Sequence, residues 1–151
     1  MSAKVNIIDV MYKGAAPALA DVLARHVTMT FDAVATSIPH IKGGKLRPLA
    51  ISGSRRVRAL PEVPTVAESG YPKFDVAAWY GFWAPAGTSA EIVRKLNEEI
   101  SQILAGPALA ERMTGIGVEL LGGSVESFAA FHKKEFERWT AFIRATGAKG
   151  Q

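Results

Sequence analysis

Residues 12–19 join a strand-like run directly to the start of a helix. Before this junction, residues 5–11 are rich in β-branched and apolar side chains without helical spacing, which predicts a mostly buried strand. After it, Leu19, Val22 and Leu23 follow the i, i+3, i+4 spacing of an amphipathic helix, and Pro17 suits the first helical position. A strand that leads directly into a helix is typical of an α/β protein.

The junction itself is built from small residues, Gly14, Ala15 and Ala16, which leave the backbone uncovered. Amide groups at the N-terminus of a helix point outward with a partial positive charge, so a carboxylate or a phosphate can bind there. A plain strand-to-helix turn without a ligand has the same residue pattern. Both interpretations stay open on the turn alone.

Strand-like and helix-like segments alternate along the rest of the chain, as in an α/β protein. We predict strands at residues 5–11, 27–31, 46–51, 76–83 and 118–121. We predict helices at residues 17–25, 33–42, 90–104, 107 to 115–117, and 125–146. The third helix opens with Thr88-Ser89-Ala90-Glu91, a capping-box pattern in which Thr88 and Glu91 bond each other's backbone amides.

The last predicted helix carries an apolar stripe and stops at Gly147. Its spacing predicts that the stripe is buried as core, and its members are Phe128, Phe131, Trp139, Phe142 and Ile143. Residues 52–71, in contrast, are rich in arginine, proline, serine and glycine, which predicts a long loop or linker. We place a lobe boundary at residues 76–82, which divides the chain into segments 1–78 and 79–151.

Composition excludes several chemistries. The 151 residues include no cysteine, so neither a disulfide nor a thiolate nucleophile or metal ligand is available. His26, His40 and His132 lack metal-ligand spacing, so no metal site is predicted. Neither a nucleophile elbow nor a phosphate-binding lysine motif is present, so we predict no catalytic residue, no enzyme and no cofactor.

The charge of +4 is compatible with anionic ligands. The densest basic cluster, Arg55, Arg56 and Arg58, lacks interleaved aromatic residues and therefore indicates a solvated loop rather than a nucleic-acid site. No apolar run approaches the roughly 20 residues that span a bilayer, and the chain shows no signal-peptide hydrophobic region at its start.

Five blocks in this order resemble the solute-binding receptors of tripartite tricarboxylate transporters, the Bug proteins. They are YKGAAPAL at 12–19, FDAVATSIPHIKGGKLRPLAIS at 31–52, RALPEVPTVAESGYP at 58–72, WYGFWAPAGTSAEIVRKLNEEI at 79–100 and GVELLGGSVESFAAF at 117–131. The resemblance implies an α/β fold of the type II periplasmic-binding-protein class, with two lobes that close on a ligand by hinge motion.

Within that fold, the resemblance places this chain in the C-terminal half of a receptor. Segment 1–78 corresponds to the second lobe with its linker, and segment 79–151 to the C-terminal return segment that packs on the first lobe. The first lobe, its glycine-rich loop and the signal peptide have no counterpart here. The family further implies a periplasmic receptor that is not an enzyme and that delivers a small organic acid to a membrane permease. The acids concerned are dicarboxylates, tricarboxylates, acidic amino acids and aromatic carboxylates.

The resemblance also implies that backbone amides and ordered waters in the cleft hold the carboxylate. The candidate ligand-binding residues are Tyr12, Lys13, Gly14, Ala15, Ala16, Ala18, Asp32 and Trp79. Asp32 precedes a helix, so it is either an N-cap or a group that orients a water or a ligand amine. Trp79 either lines the cleft or packs in the core.

Two expectations follow from the missing half. Helix faces bearing Ile92, Leu96, Ile100, Phe131 and Trp139 would be exposed, which favours a homodimer or aggregation. The chain is then a receptor fragment, a degenerate remnant, or a sensor-type ligand-binding module without a transport role. A small α/β enzyme and a nucleic-acid-binding module are the competing classes.

Overall fold

The computed structural model describes residues 5–147, and their regular secondary structure is helical. The helices are α1 (Ala15–Leu23), α2 (Val34–Lys42), α3 (Ala90–Leu104), α4 (Pro107–Gly115) and α5 (Val125–Thr146). The chain divides into two compact units. The first unit ends at Ala78 and also includes Ile116–Val118, whereas the second comprises Trp79–Gly115 and the chain from Glu119 onward.

The bounds of α3 and α5 agree with the sequence prediction, and α5 ends as expected at Gly147, which has φ 67°. Helix α1 begins two residues before the predicted Pro17, because Gly14 has φ 106° and serves as its N-cap. Pro17 remains compatible because the first turn of a helix does not use its amides internally. The helix also ends before the predicted Arg25, whose φ of 65° lies in the left-handed region.

The predicted strands do not form a sheet within residues 5–147. The β-type pairing described there is a single parallel bridge between Ile51 and Thr65. Two backbone hydrogen bonds flank it. The amide of Ile51 donates to the carbonyl of Pro64 (2.8 Å), and the amide of Val66 donates to the carbonyl of Ile51 (2.9 Å). Residues 5–11 are extended and exposed, and Ile8 exposes 83% of its surface. A β-branched pattern predicts an apolar extended segment, but a strand also needs a neighbour for its backbone groups, and the pattern does not supply one.

The core of the first unit is formed largely by the segment predicted as a loop or linker. Leu60 (5% exposed), Val63 and Thr65 (2% exposed) are buried, and Ile38 of α2 is buried in the same unit. The segment lacks helices, as predicted, but it is not a solvated linker. Scattered apolar residues among prolines show no period, so their burial leaves no pattern in the sequence.

Side-chain hydrogen bonds hold this irregular segment. The amide of Thr65 donates to Glu68 Oε2 (2.7 Å), and the amide of Glu68 donates to Thr65 Oγ1 (3.0 Å), which is the reciprocal arrangement of a capping box. Arg56 Nε donates to both carboxylate oxygens of Glu68 (3.1 and 2.9 Å), and Arg56 Nη1 donates to the carbonyl of Pro61 (3.1 Å). The Arg56 hydrogen bonds, together with the Thr65 amide, lower the pKa of Glu68 from 4.5 to about 2.

The capping box predicted before α3 is wrong by one residue. Ser89 is the N-cap and accepts a hydrogen bond from the amide of Ile92 (3.4 Å), whereas the Thr88 hydroxyl donates to the carbonyl of Pro85 (2.8 Å). Thr88 and Ser89 are both good capping residues, and a pattern of residue types does not fix which of them takes the extended N-cap conformation.

An aromatic cluster organises the second unit, where α3 also packs against α4 and α5. The rings of Trp79 and Phe131 lie 5.1 Å apart, and those of Trp83 and Phe128 lie 5.4 Å apart, both edge to face. Gly81 permits this approach, because a Cβ at that position would overlap the Phe128 ring.

The predicted burial of the α5 stripe is wrong for part of its length. Phe131 (39%), Phe142 (53%) and Ile143 are exposed, whereas Phe128 and Trp139 are half-buried. Helical spacing places side chains on one face, but burial needs an element packed against all of that face. On α3, Ile92 and Leu96 are exposed, and Ile100 is half-buried.

Three residues from the C-terminal half of the chain, Ile116–Val118, belong to the first unit. Gly117 has φ 76°, and a Cβ there would overlap the side chain of Val34 at the start of α2. The absence of a side chain therefore lets this segment lie directly against α2.

Candidate functional site

The turn that the sequence analysis singles out as a candidate anion site lies at the N-terminus of α1. Gly14 is its N-cap, with φ 106° and ψ 174°, and its amide donates to the carbonyl of Tyr12 (2.9 Å). A Cβ on Gly14 would meet no atom within 4 Å. Glycine is therefore needed at this position for its backbone conformation, not for space.

Two backbone amides at this turn are available to an acceptor. The first four amides of an α-helix, here those of residues 14–17, have no intrahelical acceptor. Of these, the Gly14 amide already donates to the Tyr12 carbonyl, and Pro17 has no amide hydrogen. The donors that remain are the amides of Ala15 and Ala16, two exposed residues. The first turn of α1 contains no acidic residue and no side-chain cap, so the positive end of the helix is not neutralised by its own side chains.

The Tyr12 side chain is tied to α1 instead of pointing freely at the turn. Its hydroxyl donates to Asp21 Oδ2 (2.6 Å), and Asp21 Oδ1 lies 3.2 Å from Nδ1 of His26. The hydrogen bond raises the pKa of Tyr12. The same bond, followed by the contact with His26, lowers the pKa of Asp21.

Asp32 is not the N-cap of α2, which is one of the two roles predicted for it. The helix begins at Val34, one residue later than predicted, and the N-cap is Ala33, which has an extended conformation. Asp32 lies one residue earlier, and its Oδ2 accepts hydrogen bonds from the hydroxyls of Thr36 (2.6 Å) and Ser37 (2.7 Å). These two donors fix the orientation of the carboxylate.

The predicted site residues fall in both units. Tyr12 to Ala18 form one continuous segment of the first unit, which runs through the turn into the start of α1. Lys13 is exposed and Ala18 is half-buried, and Asp32 lies before the next helix of that unit. Trp79 lies in the second unit, half-buried in the aromatic cluster with Trp83, Phe128, Phe131 and His132.

Sequence reasoning missed Asp21 and His26 as partners of the turn. In the sequence, His26 was considered as a metal ligand, and Asp21 was not singled out. The sequence feature that could have indicated this contact is an acidic residue in α1, Asp21, which follows an extended segment that ends in a tyrosine. The separation of nine residues between Tyr12 and Asp21 follows no helical or strand period.

Two concavities of the first unit lie away from this turn. One is lined by Ser54, Arg56, Thr65 and Glu68 among others, and the other by Val22, Leu23, Arg25, Gly44 and Lys45. Neither is lined by the turn residues. Within residues 5–147, no group of histidine and acidic side chains could hold a metal ion, and no helix combines the length and hydropathy needed to cross a membrane.

The fold is that of periplasmic binding proteins. The periplasmic binding protein BugD matches with a TM-score of 0.83 and 36% identity over 97% of this chain and 50% of its own. An R. palustris protein solved with adipate matches with a TM-score of 0.85 and 35% identity, covering 95% of this chain and 48% of that one. MatC from Rhodopseudomonas palustris, with bound malate, matches with a TM-score of 0.77 and 32% identity, covering 90% and 47%.

The chain belongs to the tripartite tricarboxylate transporter receptor family, whose model, described as "Tripartite tricarboxylate transporter family receptor", matches residues 1–148. It is 38% identical over 142 residues to the UPF0065 protein in the tcbD-tcbE intergenic region of Pseudomonas sp. strain P51, and 36% identical over 147 residues to protein BugT of Bordetella pertussis. These alignments cover 93% and 97% of this chain but 42% and 44% of the relatives. The chain thus spans about half the length of these relatives. The sequence-based family and fold class are confirmed.

Proposed function

We propose that this chain provides one wall of a receptor site for a small organic carboxylate. The observation that carries the proposal is the pair of amides at Ala15 and Ala16, which α1 leaves without intrahelical acceptors at its positive end. A carboxylate is the natural acceptor for such a pair, because a hydrogen bond between a charged group and an amide is roughly twice as strong as a neutral one.

The turn residues have different proposed roles. Ala15 and Ala16 donate their amides, Gly14 allows the backbone to approach the ligand, and Lys13 adds positive potential from an exposed position. The amide of Ala18 lies within the hydrogen-bonded part of α1, so this residue contributes only its small side chain. The Tyr12 hydroxyl hydrogen is already donated to Asp21, so this side chain acts on the turn and not on the ligand.

Asp32 and Trp79 have proposed roles outside the turn. Asp32 orients a water or a ligand amine, since its carboxylate is held by two hydroxyl donors. Trp79, a half-buried residue of the second unit, has a proposed role in contacting a ligand, and its ring packs in the aromatic cluster.

Dicarboxylates are the proposed ligand class. Two of the neighbours described above were solved with adipate and with malate, and each of these acids has two carboxylates. Tricarboxylates, acidic amino acids and aromatic carboxylates are the further candidates. In the complete assembly the receptor would act in the periplasm, deliver its acid to a membrane permease and catalyse no reaction.

The decisive experiment deletes one amide without unfolding the helix. Ala15→Pro removes the amide at the first position of α1, where proline is well tolerated, and the extended ψ of Gly14 suits the residue before a proline. We expect the affinity for malate or adipate, measured by titration calorimetry, to fall roughly tenfold or more, since a hydrogen bond to a charged group contributes about 1.5–3 kcal/mol.

The matched control is Ala90→Pro, the same change at the first position of α3, which also follows an extended N-cap residue. This variant should leave acid binding unchanged. Unaltered affinity in Ala15→Pro, or no binding of any carboxylate by the unaltered chain, would contradict the proposal. A response to acids without delivery to a permease would favour the sensor-type alternative.

We further propose that the chain self-associates as a homodimer. The observation behind this proposal is exposed apolar surface: Ile8, Phe31, Tyr80, Phe82 and Trp83 are all exposed. Large apolar side chains that face water favour association with another surface. Light scattering coupled to size exclusion should give twice 16.2 kDa, and a stable monomer would contradict dimerisation.

A further inference from the structure

The contact between Tyr12 and Asp21 closes a loop around the proposed ligand-binding turn. Tyr12 is the last residue before the turn, and Asp21 lies in the second half of α1. The hydroxyl-to-carboxylate distance of 2.6 Å is typical of a strong, charge-assisted hydrogen bond. All of the proposed amide donors lie on the chain between these two residues.

Asp21 also connects the turn to the other end of α1. Its Oδ1 lies 3.2 Å from His26 Nδ1, and its backbone carbonyl accepts hydrogen bonds from the amides of His26 (2.9 Å) and Val27 (3.4 Å). The chain reverses between these residues through Arg25, which has φ 65°. One residue therefore holds both the entry and the exit of the helix.

The comparable carboxylate at the next helix is used differently. Asp32 receives its hydroxyl donors from Thr36 and Ser37, which lie in the first turn of the helix that follows it. That arrangement constrains the beginning of α2 and nothing before it. Asp21 instead reaches back to the residue that precedes a turn, so its effect is on the conformation of the turn.

We propose that Asp21 is a positioning residue for the carboxylate-binding turn, holding the Tyr12 hydroxyl so that the intervening backbone keeps the conformation that presents the Ala15 and Ala16 amides. This inference rests on the function proposed above. Asp21 does not touch the ligand; it acts through Tyr12. Its physical effect is preorganisation, since a turn that is already ordered loses less conformational freedom on binding.

The first measurement uses the ligand-free chain. The amide of Gly14 bonds to the Tyr12 carbonyl and therefore reports the turn directly. In Tyr12→Phe and in Asp21→Ala, hydrogen exchange at Gly14 followed by NMR should become about tenfold faster, because the local opening is no longer opposed by the side-chain bond. Tyr80→Phe removes a hydroxyl from a residue that is 92% exposed and should leave that exchange rate unchanged.

Two further comparisons separate positioning from general packing. The double variant Tyr12→Phe/Asp21→Ala should exchange no faster than Asp21→Ala alone, since Asp21→Ala already removes the bond that Tyr12→Phe removes. Asp21→Asn keeps an acceptor oxygen for the Tyr12 hydroxyl, so it should restore most of the protection, but only while Tyr12 is present. Additive effects, or unchanged exchange at Gly14, would overturn the inference.

The second measurement is the affinity for malate and adipate. Tyr12→Phe should weaken binding about tenfold while the thermal midpoint stays close to that of the unaltered chain, and Asp21→Asn should bind nearly normally. If the unaltered chain binds neither acid, the proposed function fails, whereas the exchange data still decide whether Asp21 positions the turn. If the acids bind but Tyr12→Phe has unaltered affinity, the inference fails and the proposed function stands.

Discussion

The two units of the chain obtain their order in opposite ways. In the first, three buried residues come from an irregular, proline-rich segment, and a polar network around Glu68 holds that segment in place. In the second, the long helices α3 and α5 have the expected bounds, yet the aromatic rings on α5 stay partly exposed. Regular secondary structure and burial are thus separate properties, and here the less regular unit contains the more deeply buried side chains.

Truncation of an apolar side chain should cost more in the first unit than in the second. Removing a fully buried side chain leaves a cavity, and its cost includes both lost transfer free energy and lost packing. A half-exposed ring already has water on one side, so its truncation costs less. Equivalent substitutions in the two units should therefore differ in size, and the difference can be measured.

The largest expected effect is that of Leu60→Ala in the first unit. Leu60 is 5% exposed, so the cavity should lower the free energy of unfolding by about 2–5 kcal/mol, measured by urea denaturation followed by circular dichroism. Leu49→Ala is the matched control, since that leucine is 63% exposed in the same unit and should change stability by less than about 0.5 kcal/mol. Equal effects of the two variants would refute the placement of the core.

The next effect in size is that of Gly81→Ala in the second unit. The added Cβ would overlap the Phe128 ring, so the aromatic cluster must shift, at a cost of about 1–3 kcal/mol in the free energy of unfolding. Near-UV circular dichroism should report the altered tryptophan environment. Gly122→Ala, which meets no atom within 4 Å, should leave both signals unchanged, and a similar response from both would contradict the close approach at Gly81.

A smaller effect is expected for Gly14→Ala, for a reason that contrasts with Gly81. Space is available at Gly14, but φ 106° is unfavourable for any residue with a Cβ, so the free energy of unfolding should fall by about 1–2 kcal/mol. The aromatic signal of the second unit should not change. A stabilised variant, measured by the same denaturation, would show that the turn does not need this backbone conformation.

The smallest effect concerns pH. The pKa of Glu68 is lowered from 4.5 to about 2, so its contribution to stability is present above pH 4.5 and is lost as the pH falls toward 2. Glu68→Gln should remove this part of the acid dependence, whereas Glu98→Gln on α3 should not. The measurement is the thermal midpoint as a function of pH. If Glu68→Gln and the unaltered chain lose stability identically as the pH falls, the Arg56–Glu68 ion pair does not cause the acid dependence.

Features that depend on neighbouring residues could be predicted from the sequence, whereas features that depend on residues far apart in the chain could not. The bounds of α3 and α5 depend on local periodicity and nearby caps, so they could be predicted. The turn at Gly14 could also be placed, because its small residues and proline are contiguous. Strand pairing at residues 5–11 and burial of Leu60 depend on neighbours distant in the sequence, which a single sequence does not reveal.

The candidate site shows the same limit on a smaller scale. The backbone donors of the turn follow from its position before a helix. The contact of Tyr12 with Asp21 does not, because it depends on the angle at which the extended run enters α1. The role of Asp32 was likewise undetermined, since the N-cap fell one residue later than the sequence indicated.

The return of Ile116–Val118 to the first unit makes that unit discontinuous along the chain. A single protease cut after Ala78 would therefore not release an independent N-terminal piece, because the C-terminal piece still supplies Gly117 against Val34. The two products of such a nick should migrate together on a native gel and separate only in denaturant. The chain is therefore suited to a fragment-complementation experiment, in which the contact of Ile116–Val118 with the first unit holds the two cleaved fragments together.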